Sequence, residues 1–138
     1  MACESLNESI IGNSVISIGD EAFVNCTSLT SVTIGNSVTS IGVGAFTGCT
    51  NLTSVTIGNS VTSIGDYTFA GCTSLTSITL PNSVTSIGIY AFLNCTSLKT
   101  INYKGTTEQW DSISKIPGWD YNTPSDMLIN YNYVIPQN

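Results

Sequence analysis

Apolar residues return along this chain at a fixed step. Leu6, Leu29, Leu52, Leu75 and Leu98 are 23 residues apart, and Phe23, Phe46, Phe69 and Phe92 keep the same interval. So do Ile18, Ile41, Ile64 and Ile87, each followed by a glycine (Gly19, Gly42, Gly65, Gly88). All five cysteines, Cys3, Cys26, Cys49, Cys72 and Cys95, make a further column. Within one unit, Ser31-Val32-Thr33-Ile34 alternates polar and apolar, which predicts a short strand with one buried face. Val38-Thr39-Ser40-Ile41 is a second extended piece, closed by Gly42. Gly35-Asn36, replaced later by Pro81-Asn82, makes the corner between the two pieces. Ala45, Phe46 and Cys49 are spaced as on one helical or 3₁₀ turn.

A unit of 23 residues cannot bury its own apolar side. Stacked units can, because each covers the apolar columns of the next, and the product is a solenoid. Leu29, Val32, Ile34, Val38, Ile41, Ala45, Phe46 and Cys49 are the core positions of one coil. Neighbouring strands lie about 4.7–4.9 Å apart, so roughly five coils make a rod only about 20–25 Å long.

The motifs Leu29-x-x-Val32-x-Ile34, Val38-x-x-Ile41-Gly42 and Ala45-Phe46-x-x-Cys49 resemble the leucine-rich repeat in its BspA-like bacterial form. Leu75-x-x-Ile78-x-Leu80-Pro81 is nearer still to that pattern, and the resemblance runs over residues 3–103. It implies an α/β repeat solenoid, a right-handed superhelix of short parallel strands, mostly β with short helical turns. It also implies a parent protein on a bacterial surface or secreted from the cell, whose repeats serve adhesion or protein contact. One feature departs from the general repeat. The slot for a buried Asn or Cys holds Ser37, Ser60 and Ser83, and Asn36, Asn59 and Asn82 stand one place earlier. An asparagine ladder is therefore expected at a shifted corner.

The periodicity divides the chain into a solenoid over 1–103 and a C-terminal capping region over 104–138. In the latter, Thr106 to Ile113 reads as a short helix, with Thr106 or Thr107 as N-cap and acids in the first turn. Trp110 and Ile113 share one face and would cover the last coil. Pro117-Gly118 breaks the chain, and Met127 to Val134 alternates as a terminal strand with Met127, Ile129, Tyr131 and Tyr133 on one face. The N-terminus begins inside a repeat and carries no such device. Ser9 stands at a core valine position, and Glu4, Glu8, Asp20 and Glu21 gather nearby. Three readings stay open: a piece of a longer array, an edge buried by a symmetric partner, or a frayed end.

Charge changes the list of partners. Charged residues are 9% of the chain and histidine is absent, with a net charge of −6. Three cations cannot follow a phosphate backbone, so nucleic acid is not expected. No run approaches about 18 apolar residues, so no membrane insertion is expected. The first ten residues lack the basic, apolar and small-residue order of a signal peptide. From Ala22 to Leu98 the single charged residue is Asp66. The middle of the rod is thus a nearly neutral surface of hydroxyls.

Candidate chemistry is sparse. The cysteines are 23 residues apart, whereas zinc sites need ligands that converge over short local spacings. They are expected to be buried, reduced and inert. Asp20-Glu21 and Asp66 fall in a variable slot that also accepts Val43-Gly44 and Ile89-Tyr90, so they are expected to face solvent rather than pair across a cleft. Glu108, Asp111, Asp120 and Asp126 lack the spacing of a calcium loop. No enzyme, metal or cofactor is expected. Asn-x-Ser/Thr occurs at Asn7, Asn25, Asn51 and Asn94 as a by-product of the repeat. Two surfaces remain as candidates. One is the hydroxyl rows, of which Thr33, Thr56 and Thr79 lie along the first strand. The other is an aromatic and apolar patch of Tyr67, Ile89 and Tyr90 in the variable slot of successive coils. The expected role is a non-enzymatic interaction or adhesion module meeting a protein or glycan. The alternative is a structural spacer, or a unit that self-associates through its uncapped N-terminal coil.

Overall fold

The computed structural model describes residues 6–136. The chain winds through two parallel sheets. Each coil places one strand in each: β1 (Glu8–Ile11) and β2 (Ser17–Ile18), β3 (Ser31–Ile34) and β4 (Ser40–Ile41), β5 (Ser54–Thr56) and β6 (Ser63–Ile64), β7 (Ser77–Leu80) and β8 (Ser86–Ile87). β9 (Thr100–Tyr103), helix α1 (Thr107–Ser112), β10 (Ser114–Lys115) and β11 (Leu128–Asn130) complete the chain. The strand orders are β1-β3-β5-β7-β9-β11 and β10-β8-β6-β4-β2. This is a parallel-strand solenoid of the leucine-rich-repeat kind.

Register follows the period without slippage. Val32 pairs with Val55, Val55 with Ile78 and Ile78 with Ile101. The apolar columns therefore stack on themselves, and Leu29, Leu52, Leu75 and Leu98 are wholly buried. The phenylalanines make a continuous stack, with ring centroids 5.0, 5.5 and 5.5 Å apart from Phe23 to Phe92. The asparagine ladder is present at the shifted corner. Asn36 N–H donates to Asn13 Oδ1 at 3.2 Å and Asn59 N–H to Asn36 Oδ1 at 3.0 Å. Gly58 is required there, since a Cβ would collide with the carbonyl oxygen of Gly35.

The third side of each coil departs from expectation. Residues 43–49 do not form a helical or 3₁₀ turn; they are a run of tight turns. Gly44 (φ 65) and Gly48 (φ 77) enter the left-handed region, which a right-handed helix cannot accommodate. Thr47 N–H closes on Gly44 O at 3.0 Å, while the alternate amides reach the next coil: Gly44 N–H to Asp66 O, Phe46 N–H to Thr68 O and Gly48 N–H to Ala70 O, at 2.8–2.9 Å. This ladder donates forward along the chain, while the long-strand side carries bonds in both directions, as in Thr53 N–H to Thr30 O and Ile57 N–H to Thr79 O. Every side of the rod is thus hydrogen-bonded between coils.

The C-terminal region repeats this path with altered side chains. Helix α1 forms where expected, with Thr106 as N-cap and a reciprocal capping box to Gln109. Trp110 and Ile113 are buried. β10 then joins the short-strand sheet with Lys115 opposite Ile87, and β11 joins the long-strand sheet with Ile129 opposite Ile101. Asn122 meets Asn94, and Asn130 meets Asn102, at a separation of 28 residues. These residues form a further coil, lengthened by an insertion that holds the helix. On that offset Asp120, Thr123 and Asp126 occupy the places of Phe92, Cys95 and Leu98.

The expected terminal strand over 127–134 is shorter than its alternation predicts. Only Leu128–Asn130 pairs; Asn132 (φ 55) turns the chain, and its N–H donates to Gly105 O at 2.8 Å. Met127 and Ile129 pack on the core, but Tyr131 leaves that face. The expectations that rest on Cys3 and Glu4 lie outside the described residues. Among the described residues no helix is long and apolar enough to cross a membrane.

Candidate functional site

The hydroxyl rows come first because the repeat makes them most regular. Thr33, Thr56 and Thr79 are in register on one sheet face, flanked by Ile10 at one end and by Asn102 and Asn130 at the other. They are not equally open. Thr33 is exposed, Thr56 is half-buried and Thr79 is only 8% exposed. A neighbouring row is committed to the backbone: the hydroxyls of Thr30, Thr53 and Thr76 donate to Asn7 O, Thr30 O and Thr53 O at 2.9–3.1 Å. Each such bond ties a coil to the one before it.

The acids of the variable slot brace the backbone as well. Asp20 Oδ1 accepts from Val43 N–H at 2.9 Å, and Asp66 Oδ1 accepts from Ile89 N–H at 3.0 Å. An Asp thus alternates with an apolar residue from coil to coil, and each carboxylate satisfies an amide of the following coil. No three His, Cys, Asp or Glu side chains among the described residues converge as a metal site.

Cys49, Cys72 and Cys95 are free thiols, buried, and each donates to a phenylalanine carbonyl of the preceding coil at 3.1–3.2 Å. Burial pushes their pKa values up, to about 11 for Cys49 and about 12 for Cys95, against a smaller opposing effect of the backbone hydrogen bond. Cys72 shifts in the same direction for the same leading reason. Such thiols are poor nucleophiles because the thiolate is the reactive form. The expectation that every cysteine is reduced fails at Cys26, which is disulfide-bonded.

The aromatic patch is the least regular feature of the surface. Tyr67 and Tyr90 occupy the slot held by Glu21, Gly44 and Gly118 in other coils, and all of these have positive φ. A bulky side chain in that region is an outlier that costs on the order of 1–2 kcal/mol relative to right-handed backbone. The two rings lie 5.5 Å apart, tilted by 53°. Ile89 is half-buried between them in sequence, and Tyr67 is 41% exposed. Tyr121 extends the series, 6.2 Å from Tyr90 and edge-on to it at 82°. Sequence reasoning missed Tyr121, because the last coil is five residues longer than the others. The available signal was Gly118, a left-handed residue that takes the place of Tyr90 and leaves room for its ring.

Two hollows adjoin the ends of the rod. One of about 270 Å³ lies between Val84, Tyr103, Gln109 and Ile113, beneath the helix. The other, at the first coil, is lined by Ile10, Ile11, Val15, Ile18 and Phe23. The first also carries Asn82, Thr85, Glu108 and Ser112 in its lining.

With this geometry in hand, comparison with known proteins is informative. The chain aligns with a leucine-rich cell surface protein from Faecalibacterium prausnitzii at 38% identity over 78% of its length, with a TM-score of 0.60. A leucine-rich repeat protein from Bacteroides ovatus matches at 28% identity over 88% of the chain, TM-score 0.58. Another, from Eubacterium ventriosum, shares the fold at 19% identity over 85% of the chain, TM-score 0.64, and 43% of its own length is covered. The chain spans 34% and 29% of the length of the first two. No curated protein matches it. The family model of the BspA-type leucine-rich repeat region matches residues 1–114 in six copies. Such families are generally repeat proteins without catalysis, and this chain belongs to the BspA-type leucine-rich repeat family.

Proposed function

We propose that this chain is a non-enzymatic interaction module of a bacterial surface or secreted protein, adhesive in role, which presents one side of a rigid rod to a protein or glycan. Membership of a leucine-rich repeat family fits a protein-interaction module. The observation that carries the reading to a site is the Tyr67–Tyr90 pair, Tyr67 exposed and Tyr90 half-buried, both held in left-handed backbone where a neighbouring coil manages with Gly44. Strained backbone is found clustered at binding and active sites. Ile89 belongs to the same contact surface, and Thr33 and Thr56 on the strand sheet are the secondary candidates; Thr79 is too enclosed to contribute beyond its edge. Rigidity matters because a surface already ordered loses little freedom on binding.

The test is binding of the purified chain to immobilised extracellular-matrix proteins and to a glycan array. The Tyr67→Gly/Tyr90→Gly double variant should lose at least about tenfold in affinity for whichever surface captures the wild type, because aromatic anchors dominate such contacts. Equal binding by the variant rejects the patch as the site.

A second reading has its own observation. At the first coil Ile10 is 74% exposed and Ile16 67% exposed, beside an apolar hollow. This favours self-association through the N-terminal coil, with the rod as a structural spacer. Light scattering across concentration separates the two: a strict monomer eliminates self-association.

A further inference from the structure

The tyrosine ladder has a chemical preference that its neighbours define. Tyr67, Tyr90 and Tyr121 run along one side of the rod in two steps, 5.5 and 6.2 Å between ring centroids. The rings are not coplanar, at 53° and 82°. A flat strip of sugar rings has no continuous platform here, since the three rings stand at two inclinations to one another. Tyr67 and Tyr121 are 41% and 62% exposed.

The charge around the rings has one sign. Asp66 directly precedes Tyr67, and its carboxylate reaches the amide of Ile89, the residue before Tyr90. No basic residue occurs from Ala22 to Leu98. Lys115 of the last coil is already occupied: its Nζ donates to Trp110 O and Ile113 O and sits 4.9 Å from the Trp110 ring. Electron-rich rings beside a carboxylate, with no internal cation to compete, favour a cationic ligand. A guanidinium suits the place better than an ammonium, since it stacks on a ring and forks to a carboxylate at once.

Spacing decides the form of that ligand. Side chains on one face of an extended peptide repeat every two residues, about 6.4–6.8 Å. This is close to the ring-to-ring steps of the ladder. We propose that Tyr67, Tyr90 and Tyr121, with Asp66, dock an extended partner segment of the form Arg-x-Arg-x-Arg lying along the rod axis. The proposal rests on the reading of the Tyr67–Tyr90 side as the contact surface and names the class of partner for it.

The probe is the acetylated, amidated pentapeptide Arg-Ser-Arg-Ser-Arg, titrated by calorimetry and by tyrosine ring NMR shifts, beside its lysine counterpart. The arginine peptide should bind about tenfold more tightly than the lysine one and shift the three tyrosine ring signals, in line with the stacking preference of guanidinium. Asp66→Asn should weaken it about tenfold, while the amide oxygen at position 66 keeps the bond to Ile89 N–H and the melting temperature holds. Tyr67→Gly/Tyr90→Gly should weaken it as much, with the left-handed backbone relieved. Equal affinity for both peptides, or an arginine peptide indifferent to the Asp→Asn variant, overturns the proposal. Should the tyrosine variant lose a matrix or glycan partner while the arginine peptide never binds wild type, the surface stands and the arginine assignment falls. Should the tyrosine variant change neither, both fall.

Discussion

At the first coil the buried Ile11 and Ile18 line a hollow, Phe23 has one aromatic neighbour among the described residues, and Ile10 and Ile16 face solvent. At the last coil the same backbone path carries Lys115, Asp120, Thr123 and Asp126 where earlier coils carry Ile87, Phe92, Cys95 and Leu98. Between that coil and the stack lies an aromatic layer. Trp119 meets Phe92 edge-on at 6.0 Å, Trp110 meets Trp119 at 5.8 Å, and Tyr103 meets Trp110 at 5.3 Å. A solenoid needs a terminal coil with a polar outer side, because nothing follows to cover it. The C-terminal coil keeps the hydrogen bonds of the repeat and reverses the polarity of its core, which closes the stack without exposing strand edges backed by grease.

If the ends differ in this way, equal truncations should have unequal costs. Phe92→Ala removes a ring packed on both sides and should destabilise the fold by about 3–5 kcal/mol. Phe23→Ala, half-buried with one aromatic neighbour, should cost about half as much, since the site has fewer contacts to lose. Urea denaturation of the two variants measures the difference; equal costs would show that the first coil is as tightly held as the last.

The interior thiols sharpen the contrast between middle and edge. In the unfolded chain a thiol titrates near 9.0, but Cys49 and Cys95 are held at about 11 and 12 in the fold. The folded state therefore retains protons that the unfolded state releases. The stability these thiols contribute is present in full below pH 9 and is lost as pH rises through the folded values. At pH 8 a thiol reagent should leave Cys49, Cys72 and Cys95 unmodified until denaturant is added. Rapid labelling of native protein at all three would show that the stack opens readily.

The smallest effects test the devices at each end. Thr106→Ala removes the hydroxyl that accepts from Gln109 N–H at 3.1 Å and should cost about 1 kcal/mol in thermal denaturation. Ile10→Thr restores the hydroxyl found at that place in the next coils and should change stability by less than about 0.5 kcal/mol. If the exposed N-terminal side drives self-association, the same change should shift the scattering profile toward monomer.

Much of this architecture was legible in the residues alone. Repetition gave each column several independent witnesses, so the strands, their register and the asparagine corner could be placed from Val32, Val55, Ile78 and their like. The turn-rich side was misread because Ala45, Phe46 and Cys49 have helical spacing, while the left-handed Gly44 before them and Gly48 among them have no side chain to announce the turns. Of the candidate patch, Tyr67 and Tyr90 were found through the period, and Tyr121 was not, because the inserted helix breaks the count.

The sequence by itself determined the period, the identity of the core columns and the neutrality of the middle. These depend on local pattern repeated at a constant interval, and a constant interval needs no coordinates to be recognised. Only the tertiary structure decided that the tail is one more coil, that Thr79 is enclosed while Thr33 is open, and that three tyrosines from unlike coils meet along one side. Those outcomes depend on backbone hydrogen bonds between segments of unequal length. Such bonds join a lysine to an isoleucine column as readily as they join like to like, so they leave no mark in the order of side chains.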